Sequence, residues 1–255
     1  MSSVWNKIVG QHKAVERLQQ LAINNVHAFL FIGPEGCGKE DAARAFASVL
    51  ITGSDSENSR EANLITRGAF ADVVEVLREG AAVDKDEAEE IIRLASTTPT
   101  ESNVKVVIIL EVHLMRDSAA ARLLKTIEEP SEKVIFILLA DQLVPSLATI
   151  NSRCVVVNFM RLTNDIISET LCNEGIEQSV AIAAANVAAG NLPRARLLAA
   201  DERLAHRQEA FASVPYRLDG AGSTVANIVD ELFDRIDEAS TPLLEQHALE
   251  LKELE

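Results

Sequence analysis

The segment Gly33-Pro34-Glu35-Gly36-Cys37-Gly38-Lys39 has the residue types and spacing for phosphate chemistry. It fits the pattern G-x-x-x-x-G-K. In that pattern the glycines let backbone N–H groups curl round phosphate oxygens, the following helix N-terminus adds partial positive charge, and the lysine reaches the terminal phosphates. Gly33, Gly36, Gly38 and Lys39 are therefore the candidate nucleotide-binding residues, the alternative being a plain Gly-rich turn. An active loop of this kind has Ser or Thr after the lysine, whose hydroxyl ligates Mg²⁺; here the residue is Glu40. A carboxylate ~4 Å from a phosphate oxygen costs about 1–4 kcal/mol. Glu40 could ligate Mg²⁺ itself, as carboxylates do, but it is longer than Ser and crowds the site.

The second half of such a site is an Asp-Glu pair ending an apolar strand, the Asp holding Mg²⁺ through water and the Glu polarising the attacking water. The strand is present as Val104-Lys105-Val106-Val107-Ile108-Ile109, but the pair reads Leu110-Glu111. Two positions that serve the metal are thus both altered, and phosphoryl transfer leans heavily on that ion. The expectation is no hydrolysis, with Glu111 a solvated or hydrogen-bonded strand-end residue. The alternative is an active ATPase using Glu40 and Glu111 in an unusual metal site; the retained Lys39 and three glycines favour nucleotide binding of some kind.

Other chemistry-bearing residues read more plainly. His12, His27, His113, His206 and His247 are scattered and none pairs at metal spacing. Cys37, Cys154 and Cys172 lie far apart, which makes neither a disulfide framework nor a metal cluster and fits a reducing, cytoplasmic compartment. Cys37 sits at a helix N-terminus, where a thiolate is favoured; a small loop residue is the plainer reading. Trp5 reads as a packing anchor.

The elements that must position the loop follow from apolar patterning. Residues 5–22 read as an opening turn and an amphipathic helix, with Val15, Leu18, Leu21 and Ala22 at helical spacing. Val26 to Ile32 reads as a buried strand that stops at Gly33-Pro34, and Lys39 to Leu50 as a helix. Residues 52–68, with their Ser-, Asp- and Asn-rich run, read as an exposed loop. Further strands are expected at Asp72–Leu77, Val104–Leu110, Val134–Leu139 and Cys154–Phe159. Helices are expected at Asp86–Ser96 and Asp117–Glu129, the second capped by Asp117 or Ser118 and stopped by Pro130. Strands alternating with helices make an α/β fold with a five-stranded parallel sheet over residues 1–160. Residues 161–207 form a small helical unit. Pro215 and Gly220-Ala221-Gly222 are expected to break the chain, and residues 208–255 to begin a further helical domain that is too short to be complete.

The chain has 255 residues, 47% apolar and 25% charged, with a net charge of −15. That is enough to bury a core without staples. No apolar run is long enough for a membrane span, and the first residues lack the pattern of a signal peptide. A chain this acidic is a poor holder of nucleic acid by bulk charge.

Three further segments carry a family resemblance: Val9-Gly10-Gln11; Leu123-Leu124-Lys125-Thr126-Ile127-Glu128-Glu129-Pro130; and Ser152-Arg153-Cys154. With the phosphate loop, and in this order, they resemble the bacterial clamp-loader AAA+ family, most of all its delta prime branch; Ala71–Val73, Leu77–Gly80 and Thr98-Pro99 add to that likeness. The resemblance implies an AAA+ core, a helical lid and a partial helical collar. It implies a subunit of the DNA polymerase III clamp loader that works in a hetero-pentamer, handles a sliding clamp, and meets primed DNA mainly through the complex. It also implies that Arg153 acts as an arginine finger in a neighbour's ATP site, with no cofactor required in this chain. A third outcome, a decayed relative that joins no assembly, stays open. Relatives often carry four zinc-binding cysteines after the phosphate-loop helix; residues 52–70 have none, so no metal is expected. The family's sensing polar residue after the fourth strand is replaced at Ala140-Asp141. Its lid arginine falls at Pro193, with Arg194 a displaced substitute. An arginine that faces DNA or a neighbour is replaced by Glu89.

Overall fold

The computed structural model describes residues 2–24, 26–78, 80, 82–131, 133–200, 204–219, 222–234 and 236. Five parallel strands, β1 (Ala28–Ile32), β2 (Val73–Val76), β3 (Lys105–Ile109), β4 (Val134–Ala140) and β5 (Val155–Asn158), form one sheet in the order β2-β3-β4-β1-β5. The registers are in step: Phe29 pairs with both Ile137 and Val155, and Val107 with Phe136. All five strands therefore end on one side of the sheet. Their period-2 alternation divides the core. Phe29, Phe31, Val106, Ile108, Ile137 and Leu139 face α1 (His12–Leu21), α2 (Lys39–Thr52) and α3 (Arg60–Thr66). Leu30, Val107, Ile109, Phe136 and Leu138 face α4 (Lys85–Ala95), α5 (Asp117–Glu128) and the short α6 (Ala148–Asn151). Strands buried on both faces read as continuous apolar runs, which is why these segments were recognisable.

The helices α7 (Asn164–Asn173), α8 (Gln178–Ala188) and α9 (Leu192–Ala199) bury a separate apolar cluster of Ile167, Leu171, Ala181, Ala184, Ala185 and Ala195. Beyond them run α10 (Leu204–Arg217) and a helix over 222–234.

Three local expectations are corrected. Residues 60–66 are a helix and not loop: Ser59 caps it, accepting from the Ala62 N–H, and Ala62 and Ile65 are buried. The N-cap of α5 is Arg116, one position earlier than expected and without a side-chain cap bond. Pro215 does not break the chain, because α10 continues through it to Arg217. Gly220, Ala221, His247 and the stretch 237–255 of the helical domain expected over 208–255 lie outside the described residues.

Candidate functional site

The phosphate loop leaves β1 at Gly33, whose N–H donates to the Ala140 carbonyl (3.1 Å), and enters α2 at Lys39. Gly36 and Gly38 have φ of +69° and +93°, a region that side chains disfavour, so the loop needs glycine at both. A Cβ at Gly36 would also collide with the Asn191 amide at the start of α9. The loop has the expected shape, but its charge is already answered from within the chain.

Lys39 is buried, its side chain 3% exposed. Its Nζ donates to Asp141 Oδ1 at 2.8 Å and to the Pro34 carbonyl at 3.4 Å, and lies 3.2 Å from Glu40 Oε1. Burial alone would lower the lysine pKa; the Asp141 hydrogen bond and the charges of Glu40 and Asp141 outweigh it and hold the ammonium above its ordinary range. Asp141 is held in turn by His113, whose Nδ1 accepts from the Asp141 N–H (3.2 Å). The two positions that read as departures, Glu40 after the lysine and Asp141 after β4, are therefore the two carboxylates on Lys39. Cys37 is buried, and its thiol is pushed up to about 11 by that burial, against the pull of the Lys39 charge; the thiolate tendency of a helix N-terminus loses here.

The lid closes over the loop. The Leu192 N–H donates to the Gly36 carbonyl (3.1 Å), and Asn191 caps α9 by accepting from the Arg194 N–H (2.9 Å). Gln11 pins the opening turn to both parts: its Nε2 donates to the carbonyls of Cys37 (3.1 Å) and Met160 (2.7 Å), and its Oε1 accepts from the Met160 N–H (3.0 Å). That is the physical content of the Val9-Gly10-Gln11 signature. The space left between loop and lid, lined by Val9, Gly38, Asp41, Leu192, Pro193 and Arg196, is about 50 Å³. The ammonium that such a loop offers to phosphates is engaged by Asp141 and Glu40.

Pro193 does stand in the cleft, while Arg194 contributes its backbone N–H to the cap. The arginine that lines the cleft is Arg196, which sequence reasoning missed; it lies four residues after Leu192 and so on the same helix face. Its guanidinium is bound by Glu174 (Nη2 to Oε1, 2.6 Å). Glu111 is hydrogen-bonded, as one of its readings had it: Arg78 Nε donates to Glu111 Oε2 at 2.7 Å. Its φ of +51° is unusual for a residue with a side chain. Glu89 forms an ion pair with Arg122, joining α4 to α5. Among the described residues no group of three or more His, Cys, Asp or Glu side chains could hold a metal ion.

Arg153 stands at the other end of the sheet. It precedes Val155, which pairs with Phe29 near the start of β1, whereas the phosphate loop begins after Ile32. About five residues of strand, about 16 Å, separate the two levels. The Arg153 side chain is 39% exposed. Its Nη1 donates to the Thr149 carbonyl (3.0 Å) and Ser152 Oγ (2.9 Å), and its Nε is paired with Glu128. The neighbouring Cys154 is half-buried, with its thiol raised to about 12 by burial.

With this geometry in place, comparison with known proteins gives a consistent result. The family model described as DNA polymerase III, delta subunit, matches residues 10–163. DNA polymerase III subunit tau of Bacillus subtilis (strain 168) is 35% identical over 172 residues, which are 64% of this chain and 30% of tau. DNA polymerase III subunit delta' of the same organism is 31% identical over 181 residues, 67% of this chain and 55% of that protein. The chain thus matches about a third to a half of the length of these relatives. Among solved structures, a DNA polymerase III gamma subunit-related protein from Thermotoga maritima has a TM-score of 0.50 at 19% identity, over 87% of this chain and 72% of that one. The Thermotoga maritima RuvB branch migration motor has a TM-score of 0.51 at 15% identity, over 89% and 71%. These structures share the AAA+ fold with the present chain. No helix among the described residues is long and apolar enough to cross a membrane.

Proposed function

The chain belongs to the DNA polymerase III delta-subunit family, a clamp-loader family, and from that premise we propose that it is a non-hydrolysing subunit of the clamp loader, of the delta prime kind, lending Arg153 to the ATP site of a neighbouring subunit. The observation that carries this reading is the state of Lys39: buried, and bound by two carboxylates of its own chain. A phosphate would have to displace Asp141 and then meet Glu40, a like charge beside the lysine. The position of the metal-side Asp is filled by Leu110, so the residues that would hold Mg²⁺ opposite the loop are lacking as well.

Arg153 supports the other half of the proposal. A guanidinium on a terminal phosphate stabilises the charge that spreads over it during transfer, and such fingers are worth ~10³–10⁵ in rate. At the N-terminal end of β5, Arg153 is too far from its own phosphate loop to serve it. Its half-exposed side chain suits service to another subunit. The partners are then other clamp-loader subunits in a hetero-pentamer, the sliding clamp, and primed DNA through the complex. The test is ATP turnover by the reconstituted loader carrying Arg153→Ala. A fall on the order of 10³-fold with the subunit still folded and assembled is expected. Unchanged turnover would remove the finger role.

A further inference from the structure

Two of the sequence signatures meet at one point in space. Glu128 is the last residue of α5, in the Leu123–Pro130 signature, and its carboxylate is paired with the Nε of Arg153 from the Ser152–Cys154 signature, 25 residues away. We propose that Glu128 is a positioning residue that sets the direction of the Arg153 guanidinium; this rests on the finger reading above.

The argument begins with the helix. A carboxylate at a helix C-terminus faces the negative end of the macrodipole, so Glu128 stands where helix electrostatics disfavour it. A cation placed against it relieves that, and Arg153 is the cation the fold supplies. As a stabilising device the pair does little, because both side chains are about 40% exposed and such ion pairs are weak in water. Its effect on orientation is larger. An arginine side chain is long and has many rotamers, and a finger that must reach a phosphate would have to be ordered at each engagement. Here Nε is fixed by Glu128 and Nη1 by the Thr149 carbonyl and Ser152 Oγ. No bond to Nη2 is made among the described residues. The guanidinium plane is therefore set on two sides with one nitrogen left for a partner, an arrangement ordered before contact.

The experiment is steady-state ATP hydrolysis by the reconstituted loader with wild-type subunit, Glu128→Gln, Glu128→Asp, Arg153→Ala, and the Glu128→Gln/Arg153→Ala double variant. Assembly and subunit melting are checked in each. Glu128→Gln is expected to lower kcat on the order of 10–100-fold with KM for ATP little changed. Glu128→Asp, which keeps the charge, should recover part of it, and the double variant should match Arg153→Ala alone. If Arg153→Ala abolishes turnover and Glu128→Gln leaves it unchanged or raises it, the positioning role is wrong while the finger stands. A further loss in the double variant beyond Arg153→Ala also overturns it, since Glu128 would then act by another route. If Arg153→Ala itself changes nothing, the finger reading fails first and carries this one with it.

Discussion

At the ends of the strands that carry the phosphate loop, Lys39 is buried against Asp141 and Glu40, Glu111 is bound by Arg78, and Arg196 is bound by Glu174. At the opposite ends, Arg153 is half-exposed and, among the described residues, bound on two of its three nitrogens, with the equally exposed Glu128 as its acidic partner. The first region has the outline of a nucleotide site with its charges neutralised internally. The second keeps its cation half-exposed, which is what the proposed role of Arg153 requires. The contrast teaches that a motif's backbone and its chemistry can part company. Loop geometry survives through Gly36, Gly38 and the lid contact, while two carboxylates take over the lysine that the loop exists to present.

The largest effect that could break this contrast is on turnover of the assembled loader. Arg153→Ala should cost on the order of 10³-fold, whereas Lys39→Met, at the residue most essential to a working phosphate loop, should leave turnover within about twofold if nothing passes through this site. Equal sensitivity at the two ends would end the contrast. Next in size is stability. Asp141→Asn removes the closest partner of a buried ammonium, and breaking such a pair is costly. Because Asp141 is a third exposed and Glu40 remains, the loss should be about 1–2 kcal/mol, read as a melting temperature lower by roughly 2–8 °C.

The smallest expected effect is one of pH and lies at Asp72, just before β2, at the same end of the sheet as Arg153 but on the opposite edge strand. This buried carboxylate accepts the N–H groups of Thr100 (2.6 Å), Glu101 (2.7 Å) and Ser102 (2.7 Å) and the Ser102 hydroxyl (3.0 Å). Burial works to raise its pKa, but these bonds to the charged form outweigh it and hold the pKa below the ordinary aspartate value of 3.8. A lowered carboxylate pKa contributes stability that is present above the ordinary value and lost as pH falls through the folded one. Asp72→Asn should therefore flatten the decline of melting temperature with acid below about pH 4, measured by calorimetry across pH 2–7. An unchanged slope would show that Asp72 is not what titrates there.

Much of the fold was legible in the sequence because strands buried on both faces must be apolar throughout, and the Gly33–Lys39 loop sits where one of them ends. The misses have physical causes. The helix at 60–66 is short and polar outside, with Ala62 and Ile65 its buried residues, so its Ser- and Asn-rich surroundings read as loop. Pro215 lies inside α10, where the usual rule for a breaker fails. Glu40 and Asp141 could each be read as a departure from an active site, but not as partners, because Asp141 lies 102 residues from Lys39 and reaches it only through the pairing of β1 with β4. The same holds for Glu128 and Arg153: each motif was visible, their meeting was not. The Cys37 thiol shows a local rule overridden, since burial outweighs the helix terminus.

The most direct test of the central claim is a calorimetric titration of ATP with Mg²⁺ into the full chain, with released phosphate measured on the same samples. The account predicts neither binding nor turnover, because Lys39 is already held by Asp141 and Glu40. Saturable binding with phosphate release that disappears in Lys39→Ala would contradict it and establish the chain as an active ATPase.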